Sequence, residues 1–202
     1  MGRGRLFILS GPAGAGKGTL RQTLFRAMPD LAFSVSCTTR GMRPGEVGGR
    51  DYYFVSRDEF ESMVKRDEFL EWAEVHGNYY GTRRADVARV IDSGRDMLLE
   101  IDVQGSRHVK SRIADAVRIF ITAPSLDELE ERLEDRGTES RAQLDVRLSN
   151  AAKEMALARE YDHIIVNDDA ARASEELIGL VRHYRGQTET KTEMIRTEVV
   201  KS

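Results

Sequence analysis

Apolar positions fall in short unbroken runs, separated by stretches of helical period. Leu6-Phe7-Ile8-Leu9 is wholly apolar, the pattern of a strand buried on both faces in a parallel sheet. A glycine-rich turn over 11–18 follows, and Leu20, Leu24 and Met28 then recur at helical spacing until Pro29-Asp30 stops them. Residues 33–37 read as a second strand and 40–50 as a basic, glycine-rich loop. A short helix is expected over 58–66, a turn at Asn78-Tyr79-Tyr80-Gly81, and a helix over 84–92 closed by Gly94. Residues 97–102 and 117–121 are two further apolar strands. Ser125 is a good N-cap for a helix through Leu126, Leu129 and Leu133, with Asp127 and Glu128 suiting its dipole. A long helix over 140–161, a strand at His163-Ile164-Ile165-Val166 and a helix over 171–184 complete the alternation. Residues 187–202 have little apolar periodicity and read as a loosely attached or frayed tail. Strands alternating with helices mean βαβ units and an α/β fold around a parallel sheet.

Composition narrows the class. The chain has 202 residues, 31 Lys+Arg against 34 Asp+Glu, a net charge of −3, 40% hydrophobic and 32% charged residues. That balance is globular and suits one domain, and it lacks the basic excess of a dedicated nucleic-acid binder. No apolar run approaches a membrane span, and the apolar stretch after Met1-Gly2-Arg3-Gly4-Arg5 is too short for a signal peptide. One cysteine and four histidines offer neither a disulfide scaffold nor metal-ligand spacing. A cytoplasmic protein is expected. Cys37 lacks a base partner that would make it a nucleophile, and His76 suits a surface role.

The chemistry begins at Gly11-Pro12-Ala13-Gly14-Ala15-Gly16-Lys17, which follows a strand and opens a helix, the context of a P-loop. Successive N–H groups turn inward around phosphates there, which requires glycines, while the helix N-terminus and Lys17 add positive charge. Gly18 stands where Ser or Thr usually binds Mg²⁺, so Thr19 or a water is expected to take that role. Further along, two arginines three residues apart (Arg40, Arg43) and several tyrosines supply the planar and phenolic donors that a small phosphate dianion wants. A carboxylate among aromatics, as at Glu71-Trp72, suits the adjacent N1–H and N2–H₂ donors of guanine and repels adenine, whose N1 is an acceptor.

Together with the Ser36-Cys37-Thr38-Thr39-Arg40 segment, Gly77-Asn78-Tyr79-Tyr80-Gly81-Thr82, Ile101-Asp102-Val103-Gln104-Gly105, Arg136-Gly137-Thr138-Glu139 and Val166-Asn167-Asp168-Asp169, these motifs resemble guanylate kinase in order and spacing. The resemblance implies a P-loop kinase fold with a parallel-sheet core (5–34 and 83–186), a small GMP-binding lobe (35–82), a helical lid (132–150) and a C-terminal tail. It implies γ-phosphoryl transfer from ATP to GMP, or also dGMP, with Mg²⁺. Residues 11–19 and Asn167 match the ATP side, Asn167 lying in the adenine-side loop. Arg40, Arg43, Tyr52 and Tyr80 match the holders of the GMP phosphate, and Ser36, Glu71 and Thr82 the readers of the base. Glu100 and Asp102 match carboxylates near the nucleotide and metal, two apart on one strand face. Lys17, Arg40, Arg136 and Arg147 are the charge-neutralising set.

Taken singly, Tyr52, Tyr80 and Trp72 are ordinary core or rim aromatics, and Arg132, Arg136 and Arg147 could simply pair with Glu130, Glu131, Glu134 and Asp135. The joint match is what favours function. Two rivals stand: a non-catalytic guanylate-kinase-like module holding phosphorylated partners, and a kinase for another phosphorylated acceptor. The intact P-loop with its Lys argues against the first, and the paired base readers Ser36 and Glu71 against the second. Family members occur as monomers and larger assemblies, and nothing in the pattern chooses between them.

Overall fold

The computed structural model describes residues 2–75, 77–135 and 141–199, with the backbone alone at 142 and 187–199. Strands β1 (Leu6–Ser10), β2 (Ala32–Phe33), β7 (Met97–Glu100), β8 (Val117–Thr122) and β9 (His163–Val166) form a wholly parallel sheet in the order β2-β7-β1-β8-β9. Period-two alternation explains how its central strand is buried on both sides. Phe7 and Leu9 of β1 face a cluster with Leu20 and Leu24 of α1 (Lys17–Ala27) and Leu177 and Val181 of α7 (Ala170–Val199). Leu6 and Ile8 face the opposite cluster, with Val87 and Ile91 of α3 (Arg84–Asp92) and Val109 of α4 (Val103–Arg112). Each such side chain contributes roughly 1.5–3 kcal/mol on burial.

The second sheet has four strands in the order β4-β3-β6-β5 and is mixed in direction. They are β3 (Cys37–Thr38), β4 (Tyr53–Phe54), β5 (Phe69–Val75) and β6 (Asn78–Arg83), with α2 (Arg57–Lys65) against them. Its small core is Cys37, Phe60, Met63 and Phe69, and Phe60 stacks on Phe69 at 4.4 Å between ring centres. Phe60→Ala should cost about 3–5 kcal/mol in urea unfolding, since a ring in so small a cluster has little around it able to collapse into the void. A loss under about 1 kcal/mol would mean that this sheet does not depend on that core. Gly81 has no room for a side chain: a Cβ would sit 2.8 Å from Phe69 and 3.0 Å from Phe60.

Several expected elements differ. Residues 33–37 are not one strand. The ladder of the parallel sheet ends at Ser34 N–H, which donates to Leu98 O, and the chain then crosses to the second sheet. Asn78–Gly81 is not a turn but the start of β6, and the reversal lies just before it, where Gly77 has φ 77°. Strand β7 ends at Glu100, so Asp102 is not on a strand with it; Asp102 is instead the N-cap of α4. That helix lacks an apolar stripe and follows from its cap and its packing on β5. The long helix ends at Ala156 as α6 (Arg141–Ala156), followed by a single 3₁₀ turn at Ala158–Glu160. Helix α7 continues past Tyr184 to Val199, with no Pro beyond Gly186 to stop it. The Ser125 cap is as expected, accepting from Glu128 N–H at the start of α5 (Leu126–Glu134). Among the described residues, no helix is long and apolar enough to cross a membrane.

Candidate active site

The P-loop sits at the carboxyl edge of the parallel sheet, between β1 and α1. Its glycines are forced by geometry. Gly11 has φ 145°, and a Cβ there would fall 1.9 Å from Ile121 O of β8; Gly16, at φ 87°, is the left-handed N-cap of α1. The first turn of α1 carries no acidic residue, so its positive end is left for an anion. Lys17 Nζ folds back over the loop, donating to Gly11 O at 2.5 Å and Pro12 O at 3.0 Å. A Cβ at Gly18 would meet nothing within 4 Å, so no crowding excludes a hydroxyl residue there. Thr19 is exposed on α1.

On the second sheet, β5 and β6 put Glu71 opposite Thr82. Both are buried, and Thr82 Oγ1 donates to Glu71 Oε1 at 2.6 Å. Burial pushes the Glu71 carboxyl up to about 7, against the bond from Thr82, with the Asp102 charge raising it further. Trp72 beside it is 41% exposed and packs edge-on to Tyr79, so it belongs to the rim. The Glu71 carboxylate lies against α4: a Cβ on Gly105 would meet its Oε2 at 2.4 Å.

Of the expected phosphate holders, Arg40, Tyr52 and Tyr80 converge. The Arg40 guanidinium lies 5.3 Å from the Tyr52 ring centre, and Tyr52 meets Tyr80 edge-on at 6.0 Å. Glu46 and Tyr80 both raise the Arg40 guanidinium. Its fork is held by Glu46, with NH1 donating to Oε2 at 3.0 Å and NH2 to Oε1 at 2.7 Å. Arg43 adds its backbone N–H to the same carboxylate, and its residue is otherwise exposed. These contacts hold Glu46 below the usual carboxylate range. Ser36, Glu46, Tyr52 and Glu100 line a cavity of about 900 Å³ that reaches Arg21 on α1. Arg21 ion-pairs with Glu100 at 2.9 Å, although that oxygen lacks a well-aligned hydrogen bond.

A second cavity, of about 330 Å³, joins the two halves: Ala13 of the P-loop, Asp102, and Arg147 and Glu154 of α6 line it. Asp102 Oδ1 caps α4 by accepting from Gly105 N–H at 2.7 Å. It lies beside the Glu71 carboxyl, both approaching the position of a Gly105 Cβ, and shares this cavity with Ala13. Its charge raises the carboxyls of both Glu71 and Glu154. Glu154 is raised chiefly by burial, with Lys17 opposing. The sequence reading missed Glu154, although it follows Arg147 by two helical turns on the same face. It also missed Glu46, a carboxylate inside a basic loop. Asn167 lies at the carboxyl end of β9, beside the P-loop. It is buried, with Nδ2 donating to Ala15 O at 2.8 Å, so it faces the P-loop. Arg136 and His76 lie outside the described residues. Arg132 is held by Glu128 and by Asn167 O.

The chain is similar to known proteins along most of its length. The guanylate kinase family model matches residues 3–184. A guanylate kinase of Rubrobacter xylanophilus is 52% identical over 182 residues, covering 90% of this chain and 95% of that one. One from Desulfitobacterium hafniense is 50% identical, covering 86% and 87%. The crystal structure of guanylate kinase from Anaplasma phagocytophilum superposes with a TM-score of 0.75 at 34% identity, over 91% of this chain and 87% of that chain. With the P-loop, the buried Glu71–Thr82 pair and the Arg40–Tyr52–Tyr80 group carried in one frame that these relatives share along most of its length, the chain belongs to the guanylate kinase family.

Proposed function

We propose that this protein transfers the γ-phosphoryl group of ATP to GMP, giving ADP and GDP, as a cytoplasmic enzyme of purine nucleotide recycling. The observation that carries this reading is the buried Glu71–Thr82 pair, set across Asp102 from an intact P-loop. A carboxylate at that depth costs stability, and a guanine edge with two adjacent N–H donors is what makes it worthwhile. The lobe over 35–82 takes GMP, and the lid over 132–150 closes on ATP to exclude water.

GMP enters with N1–H and N2–H₂ donating to Glu71. Ser36 and Thr82 complete the base contact, Arg40, Arg43, Tyr52 and Tyr80 take the phosphate, and Glu100 and Asp102 border the nucleotide. Arg40 exchanges Glu46 for the phosphate dianion, a gain in charge for the same bidentate fork. Lys17 likewise exchanges two loop carbonyls for the β- and γ-phosphates. A GMP phosphate oxygen then attacks the γ-phosphorus; its new P–O bond forms as the bond to the β-phosphate oxygen breaks, and ADP leaves. Lys17, Arg40, Arg136 and Arg147 neutralise the charge spread over the equatorial oxygens. No covalent intermediate on the protein is needed.

The donor set suits Mg²⁺ held mainly by substrate. Among the described residues no cluster of three or more metal-binding side chains occurs, which fits a cation that keeps phosphate oxygens, waters and one or two protein ligands. Asp102, in the cavity below the P-loop, and Thr19 are the residues that would hold it. Bound there with ATP, it would offset the phosphate charge.

ADP formation from Mg-ATP, run with GMP, dGMP, AMP, UMP, dTMP and no acceptor, tests the reading. Turnover confined to the guanine acceptors is expected, with dGMP alongside GMP reporting the sugar preference. A folded protein that binds GMP yet turns over no acceptor would instead be a binding module.

A further inference from the structure

Strand β5 carries one residue more than its partner β6. Counting on from Phe69 opposite Arg83, a regular antiparallel ladder would place Leu70 opposite Thr82 and Glu71 opposite Gly81. The observed pairs are Glu71 with Thr82 and Trp72 with Gly81, so Leu70 is the extra residue of a β-bulge. That one residue brings Glu71 level with Thr82, whose hydroxyl donates to its carboxylate. Phe69 belongs to the small core of the second sheet and Leu70 to a core of the parallel sheet, so the bulge sits where the two meet.

The bulge is capped from α4. Arg112, the last residue of that helix, donates through NH1 to Phe69 O and to Leu70 O, both at 2.8 Å. Successive carbonyls of a regular strand point to opposite edges, so one nitrogen serves both only where the bulge has turned them together. Asp67, left-handed at φ 55°, stands beside this cap. Its carboxylate pairs with Arg84 at 2.6 Å and lies 3.7 Å from Arg112 NH2. Toward the other end of α4, Gly105 approaches the Glu71 side chain so closely that a Cβ would meet Oε2 at 2.4 Å. One helix therefore meets β5 both at the carboxylate and at the kink that aims it.

We propose that Arg112 is a positioning residue for the acceptor base: by capping the bulge of β5 it keeps Glu71 level with Thr82 and aims its carboxylate at guanine. The inference rests on the reading of Glu71 as the guanine carboxylate. Titrations of the full chain with GMP and with ribose 5-phosphate, which has the phosphate but no base, test it. In Arg112→Met, which keeps the stem and removes the donors, GMP affinity is expected to fall about tenfold while that for ribose 5-phosphate stays within about twofold. The Arg112 side chain is 45% exposed, so the substitution opens no cavity in either core. Equal losses for both ligands would mean a general loosening of the lobe and would overturn the proposal, as would no loss for GMP. A single nitrogen makes both bonds, so the ammonium of Arg112→Lys should recover GMP affinity to within about threefold of the parent; no recovery would overturn the capping role. In a Glu71→Gln background, Arg112→Met should cost less than about twofold more, because its effect passes through that carboxylate; additive losses would overturn this. Arg112→Gln keeps a shorter donor and should show the same ligand pattern at smaller size, should the methionine variant fail to fold. A Glu71→Gln protein that binds GMP as tightly as the parent would refute guanine reading by Glu71 itself, an outcome distinct from these.

Discussion

Lys17→Met is expected to lower kcat by about 10³-fold while GMP affinity stays within about twofold. The ammonium is the only cation built into the P-loop itself, at the first residue of α1, where the helix dipole and inward N–H groups already favour phosphate. Charge that develops on the transferring group is met there without reorganising solvent. Methionine keeps the stem and removes only the charge and its three donors. In the structure described here those donors serve Gly11 O and Pro12 O, both at a loop already shaped by its glycines, so the folding cost should be within about 1 kcal/mol. Steady-state ADP release and GMP titration read the two effects. A variant retaining more than about a tenth of the wild-type kcat would show that the charge is supplied elsewhere, with Arg147 in the same cavity as Glu154 the first place to look.

Glu71→Gln should separate function from stability. An amide NH₂ at that position confronts the guanine donors with another donor, in a buried place where water cannot repair the mismatch. A loss of about 10²–10⁴ in kcat/KM for GMP is expected, with ADP binding unchanged. The apo protein should become more stable at neutral pH. Burial raises the Glu71 carboxyl from 4.5 to about 7. A group raised in the folded state contributes stability that is fully present below its unfolded value and lost as pH rises through the folded one. The shift of about 2.5 is worth roughly 3 kcal/mol of destabilisation at pH 8, an upper bound on the gain from glutamine. GMP binding has the opposite sign, since only the ionised carboxylate accepts both guanine donors, so affinity should strengthen as pH rises through about 7. Melting temperature and GMP affinity measured from pH 5 to 8.5 in both proteins test this. Glu154 is also raised, but it is common to both, so the difference between them isolates Glu71. Identical pH profiles would mean that the carboxylate is not buried as described.

The parts of this fold legible in the chain are those decided over a few residues. The run Leu6–Ser10, the glycines after it, the helix Arg84–Asp92 and the Ser125 cap carry their own periods and dihedral demands. The second sheet is different. Strands β2, β3 and β4 have two residues each, too short to show a period, and Cys37 and Thr38 become strand because Tyr80 and Gly81 pair with them on one side and Tyr53 and Phe54 on the other. Asn78–Gly81 reads as a turn from its residue types, yet pairing with β5 makes it extended. Helix α4 has too few apolar residues to be seen from its own stripe, and Asp102 shows its capping role only once Gly105 is beside it.

The candidate site divides the same way. The chain by itself determined a phosphate cradle, because inward N–H groups, glycine dihedrals, a helix start and one lysine are all set by adjacent residues. Tertiary structure alone decided what surrounds it. Burial gives Glu71 its raised carboxyl, the fold seats Glu46 on Arg40, and α6 brings Glu154 into one cavity with Ala13 and Asp102. Asn167 meets Ala15 across 152 residues of chain. A donor's worth depends on which acceptor lies within about 3 Å of it and on how little water reaches them, and both are properties of packing rather than of sequence order.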